Sequence, residues 1–391
     1  MEEPSKEASV SPKELLTSAD PWRGYTELLA KEQPFYDPAE RTHYLARASH
    51  VRDALRHPSL ITGFPFRATR QLFGPTAIDV DGSKHRAARR LVTWFTARYM
   101  PTWMDVAIRP VVNDLLNAIP SGVPLDVMTT FAQPLPTRVV CGVMGVGDEV
   151  WRRVWTALET ISRYVAGQRS VLWPDVKNAR AVLVEISEIA LSGNAPEGTI
   201  LHYLSTHDEI RKTFSANEIL GSALLLFAAG VVTTTAAIGN LFTCLARYPK
   251  TWEDVRASPE TADKVITESL RLLPPLHSTV RFAQADLDIE GHTIQRGATV
   301  QLLLAAANRD PAHFEEANRW NPDRSFKAIN TFGGGPHTCT GTQLVNAELR
   351  YLLTEIMARF DQIVVEPPSD FQSAPFYQPT KVIATFTPRQ A

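Results

Sequence analysis

The stretch Phe332-Gly333-Gly334-Gly335-Pro336-His337-Thr338-Cys339-Thr340-Gly341 holds one of three cysteines in the chain, just ahead of an apolar helical pattern over 342–360. Glycines let backbone approach a flat partner closely and reach φ > 0, where a side chain would clash. A helix start beside a thiol lowers its pKa and favours the thiolate. A thiolate in such a loop is a metal ligand or a nucleophile. No second cysteine lies nearby to complete a Cys-x-x-Cys knuckle, which disfavours zinc. His337 sits two residues from the sulfur on the same loop, unlike the distant, folded-back partner of a Cys/His nucleophile. A structural loop around a buried cysteine is the plain alternative.

Working outward, no charged residue occurs between Glu218 and Arg247. That run exceeds the ~20 residues needed to span a bilayer. Gly221, Gly230, Gly239, Asn240 and a Thr233-Thr234-Thr235 run interrupt it, and no second span completes a topology. A long helix through the centre of a large α-rich protein accounts for it better.

Two further patterns carry charge at helical spacing. Glu268 and Arg271 stand at i, i+3, and His85 and Arg89 at i, i+4, on a segment that also carries Lys84, Arg86 and Arg90. Taken alone, both read as solvated helix faces.

The spacing Phe332-x-x-Gly335-x-His337-x-Cys339-x-Gly341 resembles, at every fixed position, the haem-ligand signature of the cytochrome P-450 family. The other motifs follow the family's order over roughly residues 20–388. The resemblance implies that Cys339 is the axial ligand of haem b, with Phe332 packed near the sulfur and Gly341 closing the motif. It implies that His85, Arg89, Arg281 and His337 bind the haem propionates, which suits forked guanidinium groups and a donating imidazole. It gives Glu268 and Arg271 a folding role, locking their helix to the irregular segment before the haem loop, with Arg324 of Asn321-Pro322-Asp323-Arg324 as a third member. On the long helix, Ala229-Gly230-Val231-Val232-Thr233-Thr234 resembles (Ala/Gly)-Gly-x-(Asp/Glu)-Thr. There small residues open a groove for dioxygen, and the Thr233 hydroxyl offers a proton path. Val232 stands where the family has an acid, and valine cannot relay protons.

The chain of 391 residues is 44% hydrophobic and 21% charged, with a formal net charge of -2, so nothing global favours nucleic acid. Cys141, Cys244 and Cys339 are too scattered for a disulfide framework, which suits a reducing cytoplasm. Residues 1–20 are polar and lack the apolar core of a signal peptide, so a poorly ordered tail and no membrane anchor are expected. Residues 21–391 are expected to form a single domain, mainly α with a small β-sheet region. Helices are predicted over 21–32, 51–56, 81–99, much of 104–207, 216–248, 260–273 and 342–360, with breaks near Pro120, Pro134, Pro174 and Pro196. Segment 60–80 reads as irregular, and short strands are expected around 36 and 44–46 and over 280–282, 287–289, 300–302, 364–365 and 382–384.

The implied function is that of a soluble, bacterial-type monooxygenase or oxidase. It would take electrons from a separate ferredoxin and its reductase, since no flavin domain fits in this length, and use dioxygen to oxidise a hydrophobic small molecule. A natural-product intermediate, hydroxylated or oxidatively coupled or cyclised, is the expected substrate. The pocket is expected to draw on 60–80 with Phe64, Phe66 and Phe73, on 226–233, on 277–280 with His277 as a hydrogen-bonding candidate, and on Phe376-Tyr377. Val232 motivates two alternatives: a non-catalytic haem-binding protein and a peroxide-dependent peroxygenase. A cysteine enzyme without haem is the remaining rival.

Overall fold

The computed structural model describes residues 20–389, save 32, 66, 169, 326–328 and 373–374, and only the backbone of 90–92 and 94–97. The expected N-terminal tail, apart from Asp20, and the pocket candidate Phe66 lie outside the described residues.

The chain opens with α1 (Trp22–Leu29), the hairpin β1 (Phe35–Asp37) and β2 (Thr42–Leu45), α2 (Ala48–Arg56) and β3 (Leu60–Ile61). Segment 60–80 is more ordered than its composition suggests, since it also carries α3 (Ala68–Phe73). The cause is Asp79, which is fully buried. Its carboxylate accepts from the Thr69 and Thr76 hydroxyls at 2.6 Å each, and its carbonyl accepts from Arg70 at 2.7 Å. Such side-chain bonds fix a turn that local propensity leaves open.

Next come α4 (Gly82–Trp103), α5 (Pro134–Met144), α6 (Trp151–Val165) and α7 (Trp173–Ile189). Pro134 and Pro174 mark helix starts, because a first-turn residue needs no N–H partner. The long helix α8 (Ala216–Arg247) begins at a reciprocal cap: Ser215 Oγ accepts from Glu218 N at 3.3 Å, and Glu218 Oε2 accepts from Ser215 N at 2.9 Å. By length and composition α8 could cross a membrane. Here it runs through the main core, where Leu224, Phe227, Val231, Ile238 and Leu245 are fully buried.

α9 (Thr261–Leu272) is followed by β4 (Thr279–Ala283) and β5 (Thr299–Leu302). These complete a sheet in the order β1-β2-β5-β4-β3, in which β2 and β5 are parallel and the other pairs antiparallel. The register aligns Tyr44, Gln301 and Val280 in one row. After the Cys339 loop, α10 (Thr342–Arg359) leads into β6 (Phe360–Val365), which pairs with β7 (Ile383–Pro388). The sequence reading lacked β3, the His292–Ile294 strand and the two-residue strands Leu125–Asp126, Phe371–Gln372 and Gln378–Pro379. Segments this short carry little periodicity.

The Glu268/Arg271 pair is not solvated; both side chains are fully buried. Arg271 forks onto Glu268 at 2.7 and 2.8 Å and donates to the carbonyls of Asn308, Ala317 and Arg319. Glu268 also accepts from Asn321 N at 2.9 Å and lies 3.7 Å from Arg324, the expected third member. Removing one partner of a buried ion pair leaves the other charge uncompensated. Arg271→Ala should therefore lower unfolding stability by about 3–5 kcal/mol in a urea titration. Arg271→Lys should recover only part of that, since an ammonium cannot fork one carboxylate and reach three carbonyls.

Candidate functional site

The Cys339 loop is built by backbone. Cys339 N donates to Phe332 O at 2.9 Å, and Gly333 N donates to Asn330 O at 2.9 Å. Gly333 and Gly335 have φ of 68° and 64°. A Cβ on Gly335 would also stand 2.5 Å from Leu55 O, so α2 and the loop pack at a distance only glycine permits. Gly341 has an ordinary φ of -84° and caps α10; a Cβ there would lie 3.8 Å from Cys339 Sγ. Cys339 is exposed, while Cys141 and Cys244 are buried. Burial pushes both of those thiols up to about 12, which makes them inert. Among the three, Cys339 alone is a reachable ligand.

A cationic corner borders this loop. His337 Nε2 lies 3.1 Å from Asp81 Oδ1, and its ring centre is 4.0 Å from that of His85. Burial opposes the Asp81 charge, but bonds from His337, Gly63 and Thr62 outweigh it and hold its pKa near about 2. His85 is pushed down to about 4 by burial, then by His337 and Arg89. Arg281 is buried, with Nη1 donating to Thr279 Oγ1 at 3.1 Å and Val280 O at 3.0 Å. No carboxylate pairs with it among the described residues. Burial and then neighbouring Arg67 lower its pKa to about 10, with Asp81 opposing. Arg67 was not visible in the sequence, because no motif marks it. It donates to Ile78 O and stands 3.5 Å from Asp79.

Opposite in character is a cavity of about 670 Å³, lined on α8 by Leu225, Ala229, Val232 and Thr233. Thr233 Oγ1 donates to Ala229 O at 3.0 Å, which leaves its lone pairs for other donors. Gly230 does not open this groove. A Cβ there would stand 2.7 Å from Val140 Cγ2, so Gly230 serves the packing of α8 on α5, and Ala228 and Ala229 are the small residues of α8 on the cavity side. Val232 leaves that face without an acid. Glu218 is fourteen residues upstream, roughly 21 Å along the axis, and is held in the cap. A second residue without a sequence signal is Glu348 on α10, fully buried, with neither carboxyl oxygen partnered among the described residues. Burial raises its pKa well above the carboxylate range and keeps it neutral.

Of the expected pocket residues, Phe64, Phe73 and Phe376 line the cavity, as do Leu276, Ser278 and Val280. Phe64 stacks on Phe282 at 5.9 Å. His277 and Tyr377 do not line it. His277 is neither a substrate contact nor a solvated loop residue. It is fully buried, with Nδ1 2.8 Å from Tyr25 Oη and its ring against Tyr377 at 4.4 Å and Trp22 at 5.1 Å. Burial, with help from Arg309, lowers its pKa to about 3. Between pH ~6.5 and 3 the unfolded chain thus takes up a proton that the folded one refuses, and stability falls as pH falls. The stability gap between the wild type and His277→Gln should therefore narrow over that window, as read by urea midpoints at several pH values.

Among the described residues no group of three or more His, Cys, Asp or Glu is placed to hold a metal ion. A lone reachable cysteine suits a metal that arrives with its own equatorial donors. The unpaired Arg281 and the His85/His337 pair suit acidic groups on the edge of such a cofactor. These features suit a haem-binding protein of mainly helical fold. A family model described as Cytochrome P450 matches residues 176–384. The chain is 31% identical over 391 residues to the beta-dihydromenaquinone-9 omega-hydroxylase of Mycobacterium tuberculosis, covering 96% of this chain and 78% of that protein. It is 28% identical over 284 residues to the biotin biosynthesis cytochrome P450 of Bacillus subtilis, covering 71% of each. The ligand-free crystal structure of Mycobacterium smegmatis CYP164A2 superposes with a TM-score of 0.83 at 27% identity, covering 95% of this chain and 98% of that one. The chain belongs to the cytochrome P450 family, whose members are monooxygenases that bind haem b and use redox partners, dioxygen and hydrophobic substrates.

Proposed function

We propose that this chain is a cytoplasmic P450 oxidase with one domain over 21–391, which oxidises a hydrophobic natural-product intermediate. The observation that carries the reading is the exposed Cys339 on a loop whose His337 meets His85 beside the unpaired Arg281. Cys339 would ligate the iron, with Phe332 and Gly341 against the sulfur. His85, Arg89, Arg281 and His337 would hold the propionates, and Arg67 stands close enough to Arg281 to share them. The haem, when bound, supplies dioxygen activation.

The chain's own residues then set what is oxidised. The apolar lining from Leu158, Ile161, Leu225 and Val232 displaces water and orients the substrate. Thr233 offers hydroxyl lone pairs where protons must pass. With Val232 beside it, protons would travel through ordered water or a polar group of the substrate. This arrangement supports hydroxylation, or coupling or cyclisation with a different proton demand. The relative named above is, by its name, an omega-hydroxylase of beta-dihydromenaquinone-9, which supports a large apolar substrate here. Electrons would come from a ferredoxin and its reductase. A peroxide-driven reaction is the second reading, favoured by Val232, since peroxide would remove the need for reduction.

The reduced, carbon monoxide difference spectrum tests the ligand. The haem-supplied protein should show the red-shifted band of a thiolate, and Cys339→Ser should lose it. Its absence in the wild type would overturn the reading. For proton supply, Val232→Asp should leave the coupling of NADPH use to product unchanged or worse in a ferredoxin system. A large gain would show that valine is a defect rather than an adaptation.

A further inference from the structure

The cavity extends beyond the walls that the sequence suggested. Besides the residues near α8 and the expected wall with Ser278, it is lined by Glu40, Thr42, Tyr44 and Gln301. The sheet register explains why. Tyr44 pairs with Gln301, and Gln301 with Val280, so the three stand side by side on one face. Thr42 and Ser278 lie two residues from Tyr44 and Val280 and share that face by alternation. Neighbouring strands are ~4.8 Å apart, so the row carries the lining roughly 10 Å from Val280 out to Tyr44.

The chemistry changes along this row. Near α8 the lining is aliphatic. At the far end, Tyr44 is only 6% exposed, yet its hydroxyl has no hydrogen-bond partner among the described residues. Burial, then Asp37 and Glu40, raise its pKa to about 12, so it stays a neutral hydroxyl. Gln301 donates through Nε2 to Ser278 Oγ at 2.5 Å, which leaves its carbonyl oxygen as an acceptor. Glu40 brings a negative charge to this end. A hydroxyl oxygen, an amide oxygen and a carboxylate together favour a ligand that donates hydrogen bonds, and the carboxylate repels an acid.

We propose that this far row is a head-group subsite: the enzyme takes an elongated amphipathic substrate, holds its hydroxyl or amine head on Tyr44, Gln301 and Glu40, and presents the remote apolar end to Ala229 and Thr233. Oxidation then falls at the end distant from the head. The subsite rests on the P450 reading of the site, because Thr233 marks the oxidised end only under that reading.

Binding by the haem-loaded enzyme tests it, using long-chain n-alkyl alcohols and amines against carboxylic acids of equal length. Calorimetric titration gives affinities, and the Soret shift reports displacement at the haem. Alcohols and amines should bind about tenfold tighter than the acids, the scale of one charge-assisted contact. Tyr44→Phe and Gln301→Leu should each weaken alcohol binding several-fold, while imidazole, which does not reach the row, keeps its affinity. Glu40→Gln should narrow the gap between alcohol and acid. Equal binding of alcohol and acid, or alcohol binding unchanged in both row variants, would overturn the subsite. That failure is distinct from failure of the parent reading, which is a missing thiolate band in the carbon monoxide spectrum.

Discussion

The buried fork between Arg271 and Glu268 is the contact on which the rest of the site depends. Arg271 gathers the carbonyls of Asn308, Ala317 and Arg319, so it organises a stretch with almost no regular structure. From there a relay runs to the cysteine. Asn308 Oδ1 accepts from Asn330 N at 2.6 Å, and Asn308 Nδ2 donates to Thr331 Oγ1, which donates to Leu270 O on α9. Asn330 O holds Gly333, and Phe332 O holds Cys339. An ion pair far from the sulfur in sequence thus sets where the sulfur stands. The desolvation of two charges is offset by five further polar partners rather than by their mutual attraction alone.

The two sides of the site follow different physics. On the sulfur side, charge is concentrated and incompletely neutralised. Arg281, Arg67, Arg89 and two histidines face one strongly ionised Asp81 and the buried Asp79, and the imbalance is what an anionic cofactor edge would relieve. On the α8 side, charge is excluded. Val232 removes the acid, Glu218 is committed to the helix cap, and Thr233 is the polar group that remains on that face.

How far this was legible in sequence depends on whether local or distant contacts decide each position. The Cys339 loop, the His85/Arg89 spacing and the Glu268/Arg271 pair could be read because each rests on fixed spacing within one short segment. His277 could not. Its loop looks exposed, and only the return of Tyr25 and Tyr377 from opposite ends of the chain encloses it. Gly230 was read as a groove glycine, although its partner Val140 is ninety residues away. Arg67 and Glu348 carry no periodic or motif signal, since their importance lies in what they lack: an ordinary environment for a charge. The polar row on the sheet was hidden for a similar reason, because it appears only when three strands from distant segments are set in register.

That register also has a consequence in time. β2 pairs in parallel with β5, so Thr42 must find Thr299 across 256 intervening positions. Pairings of such separation form late, after loop closure has been met by other contacts. During synthesis, β1 and β2 emerge early and have only each other until residue 302 leaves the ribosome, whereas the α5–α8 core can begin to assemble from segments already out. The wall made by Tyr44 and Gln301 is therefore among the last parts of the cavity to exist. A nascent chain can shape the aliphatic end of its pocket before it has any means of telling one end of a ligand from the other.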